Sequence, residues 1–305
     1  MATGVFASGE MAERMPELAA LLRACRTSCV EHSRRHLWEP IPGSRAARDV
    51  AEFEADARVR DSSIVLEAIG TYLELGVWHC GGLAAVLEAN EVLAAPWPLT
   101  RAILEACGRV MWVIGDPSGS ARERLARAYI DNIASAKFKL EVANGVEGQT
   151  SATAGKARSD YQAIRAEVTA VFPTTTRENI DKLTINGVPN ASLTATVKVL
   201  FAVLERWGGI SGAVAQHRRT YDMLSNNAHP TLYTFRDRRE YVDGGDHVAT
   251  RLVVYRKEID GLVALAVAAI YNTLSMVCQY CGWSFDPDKH LEQMIDRILP
   301  TLFAS

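Results

Sequence analysis

The residues best suited to proton transfer lie at the end of one predicted helix, in the stretch RRTYDMLSNNAHP from Arg218 to Pro230. Tyr221, Ser225 and His229 are spaced i, i+4 and i+8, which places a phenol, a hydroxyl and an imidazole along one helix face. Pro230 disfavours the helical conformation of the residue before it, so the helix is predicted to end near His229. An imidazole at an open helix end is suited to general acid–base catalysis.

The end of this helix also allows a purely structural interpretation. Asn226, Asn227 and His229 are residue types that satisfy the free carbonyl groups of a helix C-terminus. If the site is functional instead, Ser225, Asn226 and Arg219 are the substrate-binding residues that we expect this helix to supply. The sequence leaves both interpretations open.

A second pair of candidates is Arg101 and Glu105, spaced i, i+4 in the apolar stretch PLTRAILEACGRVMWVIGD. The apolar neighbours predict a mostly buried helix. Two charged side chains within such a helix need either a partner of opposite charge or a functional role that explains them. Arg101 is a candidate anion-binding residue, and Glu105 joins Tyr221 and His229 as a candidate catalytic group. Asn132, in the following predicted helix, is a further candidate substrate-binding residue, and we expect it to face the same cavity between helices as Arg101 and Glu105. A surface ion pair alone would contribute about 0.5 kcal/mol or less.

No complete metal or cofactor motif occurs in the sequence. Cys278 and Cys281, followed by His290, resemble half of a zinc site, but no second CxxC or close histidine pair completes it. The carboxylates near His79 lack the Glu-x-x-His pattern of di-metal helical bundles. The patterns GxGxxG, GxxxxGK[ST], HExxH and GxSxG are also missing. We therefore expect neither a metal nor a cofactor.

Helices must position these candidates, because apolar residues recur every three or four positions along almost the whole chain. The expected class is all-α, a multi-helix bundle with at most one small β-hairpin at about 232–255, where LYTF and TRLVVY flank a charged stretch. Ser120 and Glu123 form a capping-box pattern at the start of the fifth helix. The predicted helices span residues 11–36, 45–57, 60–90, 97–115, 119–144, 153–171, 177–184, 190–207, 210–228, 257–281 and 287–303.

The helices are predicted to form one domain of residues 1–305. Within it, N-terminal helices in residues 1–57 pack on a core bundle of residues 60–281, and a C-terminal helix follows at 287–303. No repeat of 20 to 50 residues is visible, which argues against a solenoid.

Composition narrows the function classes. The 33 Lys and Arg against 36 Asp and Glu leave a net charge of −3, which argues against a protein that coats nucleic acid. The start of the chain lacks a basic region followed by an apolar one, and the most apolar stretches carry charged residues. We therefore expect a cytoplasmic protein with no membrane segment. The helical spacing of the six cysteines predicts reduced thiols.

Two stretches, RAILEACGRVMWVIGDPSGSARERLARAYIDN and YDMLSNNAHPTLY, together resemble a bacterial family of all-helical proteins that is distantly HEPN-like. The family pattern is an Arg-x-x-x-Glu helix followed by a Tyr-x-x-Leu-Ser-x-x-x-His-Pro helix end. It is matched by Arg101, Glu105, Tyr221, Leu224, Ser225, His229 and Pro230. The resemblance covers roughly residues 60–280, and it implies a HEPN-like helical homodimer. Since many HEPN proteins are ribonucleases of toxin–antitoxin and phage-defence systems, it also implies RNA processing.

The chain departs from the nuclease members of the HEPN family at one point. Those members carry an arginine with four to six residues between it and the histidine, whereas Asp222, Met223 and Leu224 stand at these positions before His229. A ribonuclease would still need a cation to balance the charge of the phosphorane. Arg101 or an arginine near the start of the same helix could supply it only if the helices converge.

Three functions remain open at this stage. The first is a HEPN-like RNA-processing or defence/toxin-type protein, for example a metal-independent ribonuclease. The second is a cofactor-independent enzyme acting on an anionic small molecule, in which Arg101 binds the anion while Glu105 and His229 transfer protons. The third is a non-catalytic regulatory or interaction module. A homodimer is expected in addition, from apolar helix faces that look exposed around Trp78 and Trp112.

Overall fold

The chain folds into helices that begin and end close to the predicted bounds, and the all-α class is confirmed. A computed structural model describes residues 9–206, 210, 212–229, 232–243, 248–285, 289–300 and 302, and about 74% of it is helical. The helices are α1 (Gly9–His36), α2 (Arg45–Glu54), α3 (Ile64–Glu88), α4 (Pro96–Ile114), α5 (Ala121–Glu147), α6 (Ala152–Val171), α7 (Arg177–Asp181), α8 (Leu193–Arg206), α9 (Ala213–Ala228), α10 (Leu232–Arg236), α11 (Arg256–Cys281) and α12 (Lys289–Ile298). The strands are β1 (Thr184–Ile185), β2 (Val188–Pro189), β3 (Arg239–Asp243) and β4 (Val248–Leu252).

Helix α4 lies at the centre of the bundle and packs against α3, α8, α9 and α11. One connected core of buried apolar side chains extends from Met11 on α1 to Leu299 after α12. The approach of α8 to α4 is closest at Gly108, where a Cβ atom would lie 2.8 Å from the carbonyl group of Thr196. Only glycine fits there without moving one helix away from the other.

Local hydrogen bonds explain where individual helices begin. The predicted capping box of α5 is present, with Ser120 Oγ accepting from the Glu123 amide and Glu123 Oε2 accepting from the Ser120 amide. Helix α3 begins at Ile64 rather than at residue 60. The reason is a turn in which the Asp61 carboxylate accepts hydrogen bonds from both the amide and the hydroxyl of Ser63.

The small β-structure differs from the prediction in two ways. The hairpin within 232–255 is present as the antiparallel pair β3–β4, but LYTF, predicted as a strand, begins helix α10 instead. A second antiparallel pair, β1–β2, was not predicted, and its turn is Asn186-Gly187. Both turn residues have positive φ angles, 51° and 77°, as a two-residue type I′ turn requires. Residues 244–247 of the expected charged turn lie outside the described residues, as do 207, 211, 287–288, 301 and 303 of the predicted helices.

The two tryptophans expected on exposed apolar faces differ in their surroundings. The side chain of Trp78 is 61% exposed and carries the Arg26 guanidinium over its ring at 4.4 Å. Trp112 is only 8% exposed, so the prediction of an exposed face around it is wrong. Because helices surround α4 on several sides, the face that carries Trp112 is covered.

Helix α11 is long and apolar enough to cross a membrane, but 72% of its most apolar window is buried inside the protein. It packs on α1, α3, α4 and α8, which is the position of a central core helix. Its two cysteines, like the other four, are free and buried.

A buried ion pair connects α2, α5 and α11. The Arg124 guanidinium donates to Asp49 Oδ1 at 2.7 Å, and the Tyr280 hydroxyl donates to Asp49 Oδ2 at 2.7 Å. The side chains of Arg124 and Asp49 are only 4% and 5% exposed. Each charge therefore depends on the other, because neither has enough contact with water to be solvated on its own.

We expect Asp49→Ala to lower the free energy of unfolding by about 3–5 kcal/mol, because it leaves the Arg124 guanidinium buried without a carboxylate. The matched control is Glu178→Ala, which removes the exposed Lys182–Glu178 pair and should cost less than about 1 kcal/mol. Urea unfolding measures both. Equal losses for the two variants would show that the buried pair does not hold the three helices together.

Candidate functional site

The structure brings together four of the predicted site residues, two from α4 and two from the end of α9. Arg101 and Glu105 lie one turn apart on α4, while Tyr221 lies on α9 and His229 directly follows it. We call these four residues the Arg101 cluster. The two helices pack against each other, so the cluster joins two segments that are more than 100 residues apart in sequence.

The Arg101 guanidinium makes three contacts in this cluster. Its Nε donates to Glu105 Oε1 at 2.8 Å, and its Nη2 donates to the Tyr221 hydroxyl at 3.2 Å. Its Nη1 lies 3.5 Å from His229 Nε2. The guanidinium carbon also lies 5.2 Å from the centre of the Tyr221 ring, within the range of a cation–π contact. One planar, charged group therefore orients a carboxylate, a phenol and an imidazole.

The Tyr221 hydroxyl is held between the two charged groups of α4. It accepts from Arg101 and donates to Glu105 Oε1 at 2.6 Å. The pKa of the phenol is raised, first because the ring is buried and second because the neutral form donates a hydrogen bond to the Glu105 carboxylate. Tyr221 therefore keeps its proton at neutral pH. The pKa of Arg101 is also raised, since the hydrogen bonds to Tyr221 and Glu105 outweigh the effect of burial, which lowers it.

His229 lies at the end of α9 with an extended backbone, φ −103° and ψ 148°, and its amide donates to the Ser225 carbonyl at 3.1 Å. The helix therefore ends where the sequence predicts, although Pro230 itself lies outside the described residues. The imidazole is exposed, whereas the Arg101 and Glu105 side chains are only 22% and 21% exposed. An arginine has no hydrogen-bond acceptor, so a hydrogen bond between these two side chains uses Nε2 of His229 as its acceptor.

The remaining predicted residues do not join the Arg101 cluster. Ser225 lies on the same face of α9, one turn before His229. Arg219 and Asn226 lie on the adjacent face and line a cavity of about 750 Å³ that is bounded by α9, α10 and the start of α11. Asn132 is half-buried on α5, which packs mainly against α6 and α3. No hydrogen bond joins Asn132 to the cluster within the described ranges, and its role in binding substrate stays a prediction.

The polar groups that line this cavity include three arginines and three carboxylates. They are Arg218, Arg219, Asp222, Asp237, Arg238 and Glu258, together with the amides Asn226 and Asn227. Two of the arginines face a carboxylate at 3.7 Å, Arg218 that of Asp222 and Arg238 that of Glu258. Arg219 is exposed and forms no ion pair with the described part of the chain.

Arg238 is an important residue that the sequence did not reveal. Its guanidinium lies 3.8 Å from the centre of the Trp97 ring and donates to the Leu93 carbonyl at 3.2 Å and to Asn227 Oδ1 at 3.0 Å. It thereby joins the segment before β3 to the end of α9 and to the start of α4. Asn227 in turn donates to the Met223 carbonyl at 2.8 Å, which is the capping role expected of it. No local pattern around Arg238 predicts these contacts, because all of its partners are distant in sequence.

Metal ligands do not cluster in the described parts of the chain, where no three His, Cys, Asp or Glu side chains lie close enough to hold an ion. Cys278 and Cys281 are buried on α11, and burial raises the pKa of each thiol to about 12. His290, on α12, is exposed.

Comparison of the chain with protein-family models, with curated proteins and with solved structures finds no match. The chemistry has to be inferred from the side chains themselves.

A second polar group on α4 lies two turns beyond Arg101. Arg109 pairs with Asp131 of α5 at 3.2 Å and donates to Asn190 Oδ1 at 3.2 Å. Asp131 is 8% exposed, and its Oδ2 has no hydrogen-bond partner in the described structure. Burial raises the pKa of this carboxyl to about 6, although the Arg109 guanidinium opposes the shift.

The contribution of Asp131 to the free energy of unfolding should therefore fall as pH rises from about 4 to about 6. In this range the unfolded chain releases the Asp131 proton while the folded protein retains it, and the shift corresponds to about 3 kcal/mol. In the variant Asp131→Asn, the side chain at position 131 is an amide and stays neutral over this pH range. The free energy of unfolding of the variant, relative to the parent, should increase between pH 4.5 and 6 and then remain constant.

Urea unfolding at several pH values measures this difference, with the exposed Asp160→Asn as the matched control. A difference between parent and Asp131→Asn that is the same at every pH would contradict the raised pKa.

Proposed function

We propose that this chain is a HEPN-like RNA-processing protein that cleaves RNA at the Arg101 cluster. The observation that supports this most is the contact between Arg101 and His229. The segment before His229 lacks the arginine of the nuclease pattern, and α4 supplies a guanidinium at the imidazole from a different part of the chain.

The proposed chemistry needs only the side chains of this cluster. When a substrate phosphate takes over the Arg101 Nη1 donor, the Nε2 lone pair of His229 is free to remove the proton from a ribose 2′-hydroxyl, whose oxygen then attacks the adjacent phosphorus. Arg101 stabilises the additional negative charge of the phosphorane. The bond from phosphorus to the 5′-oxygen breaks, and that oxygen takes up a proton from the imidazolium. The products are a 2′,3′-cyclic phosphate and a 5′-hydroxyl end.

The other residues of the site have supporting roles in this proposal. Glu105 fixes the orientation of the Arg101 guanidinium. Its Oε1 accepts hydrogen bonds from both the Nε of Arg101 and the hydroxyl of Tyr221. Tyr221 remains protonated, so it can donate to a phosphate oxygen if a substrate displaces Glu105. In this proposal Arg219, Asn226 and Ser225 contact the neighbouring nucleotide; Arg219 and Asn226 line the cavity on the adjacent face of α9.

A second candidate function is favoured by one feature of the site. Arg101 and Glu105 are about four-fifths buried, as the polar groups of concave small-molecule sites commonly are. In this proposal Arg101 binds a small organic anion while Glu105 and His229 transfer protons. A homodimer and a cytoplasmic location are proposed for both functions.

We expect the protein to cleave total RNA, including transfer RNA, in the presence of EDTA, and to leave 2′,3′-cyclic phosphate ends. His229→Ala should reduce the cleavage rate by about 100-fold or more, the usual contribution of a general acid–base group. Arg101→Ala should reduce it similarly. The matched control is His217→Ala, which removes an imidazole on α9 that bonds to the Val214 carbonyl and lies outside the cluster.

Thermal unfolding of the same variants separates catalysis from folding. His229→Ala should melt within a few degrees of the parent protein, since its imidazole is exposed. An inactive parent protein would reject RNA cleavage and favour the small-molecule function. Cleavage at the parental rate by His229→Ala would remove the catalytic role of His229.

A further inference from the structure

A separate cavity of about 290 Å³ opens at the C-terminal end of α4, between α5, α8 and α11. Most of its wall is apolar and comes from Met111, Trp112, Val199, Val203 and Met276. Trp112 lies 11 residues beyond Arg101, about 16 Å along the helix axis. The cavity is therefore distinct from the Arg101 cluster.

Arg127 of α5 is the most informative residue that lines this cavity. It is half-buried, it packs over Gly115, and its Nε is inaccessible to solvent without a hydrogen-bond partner in the described structure. The charged groups that influence the pKa of its guanidinium are Glu123 and Arg124, and both are engaged elsewhere, Glu123 in the capping box and Arg124 with Asp49.

Four other arginines in buried or partly buried positions of the bundle face a carboxylate. These are Arg109, Arg122, Arg124 and Arg165, which pair with Asp131, Asp56, Asp49 and Asp181. Arg45 has no carboxylate partner among the described residues, but it donates to the carbonyls of Ile114 and Asp116. Arg127 forms no ion pair with the described residues. Leaving a guanidinium half-buried without an acceptor destabilises a fold, so its retention beside a cavity indicates a ligand that supplies the acceptor.

We propose that this cavity binds a small organic carboxylate. The carboxylate pairs with the Arg127 guanidinium, and the apolar body of the ligand packs against Met111, Trp112 and Met276. The planar fork of a guanidinium matches a carboxylate in a bidentate arrangement. Arg206 and Asp116 also line the cavity, and the positive charge of Arg206 offsets the Asp116 carboxylate at the rim.

The size and the lining of the cavity define the ligand further. A volume of about 290 Å³ is at the lower end of the range for small-molecule sites, which suits a ligand of roughly ten non-hydrogen atoms. The apolar wall favours a ligand with an aromatic or aliphatic body over a free inorganic anion. Benzoate combines these properties and is a suitable probe.

Isothermal titration calorimetry with benzoate tests the proposal. The parent protein should bind benzoate, and it should bind the neutral isostere benzamide and inorganic phosphate more weakly. Arg127→Met should reduce the affinity for benzoate by roughly tenfold to a hundredfold, because it removes a charge-assisted hydrogen bond. The matched control is Arg48→Met, an exposed arginine that donates to the Gly43 carbonyl and should leave binding unchanged.

Thermal unfolding without ligand gives a second readout. Arg127→Met should melt at or above the temperature of the parent protein, since it replaces an unpaired guanidinium by an apolar side chain. A clear loss of stability would assign Arg127 a structural role and overturn the inference.

A variant that keeps Arg127 tests the cavity independently. Ala202→Phe fills the cavity from the exposed side of α8 and should abolish benzoate binding. Unchanged binding by Ala202→Phe or by Arg127→Met would contradict the proposal. Absence of binding by the parent protein at millimolar benzoate would contradict it as well.

Discussion

The candidate site depends on the guanidinium of Arg101, which contacts the other three residues of the cluster. It is the common partner of Glu105 on its own helix and of Tyr221 and His229 on α9, so it defines both the distance and the orientation between the two helices at this point. A lysine would provide the charge, but its ammonium lacks the planar fork that contacts three groups on different sides. The arrangement also explains why two charged residues are tolerated on a helix whose other faces are covered by α3, α8 and α11.

Much of the fold can be predicted from the sequence, because local sequence patterns determine most of the helices. Apolar periodicity gives the helices, and Ser120 with Glu123 correctly predicts the start of α5. The β1–β2 hairpin was missed although Asn186-Gly187 is a strong turn signal, because its strands of two residues each are too short to show alternation. LYTF was assigned to a strand because its aromatic and β-branched residues favour one, yet it begins α10. Five residues carry too little periodicity to distinguish the two.

The sequence predicts which site residues share a face of one helix, but not which helices come together to form the site. The i, i+4 spacing places Tyr221, Ser225 and His229 on one face of α9, and the same spacing pairs Arg101 with Glu105. The packing of α4 against α9 is a tertiary contact, and no local pattern contains it. The same limit applies to Asn132, which the structure does not bring to the Arg101 cluster. Its helix follows α4 directly in sequence, but α5 turns towards α6 and α3, and the adjacent Asp131 faces Arg109 rather than Arg101.

Chemistry at His229 depends on which ring nitrogen is free to accept a proton. Because an arginine only donates hydrogen bonds, the contact with Arg101 requires the neutral imidazole to carry its proton on Nδ1 and to direct the Nε2 lone pair towards the guanidinium. Nitrogen-15 NMR of the neutral His229 ring measures this directly, with Arg101→Ala as the comparison. We predict the Nδ1-protonated tautomer in the parent protein and its loss in Arg101→Ala. An Nε2-protonated ring in the parent, unchanged by the substitution, would contradict a site built by α4 and α9 together.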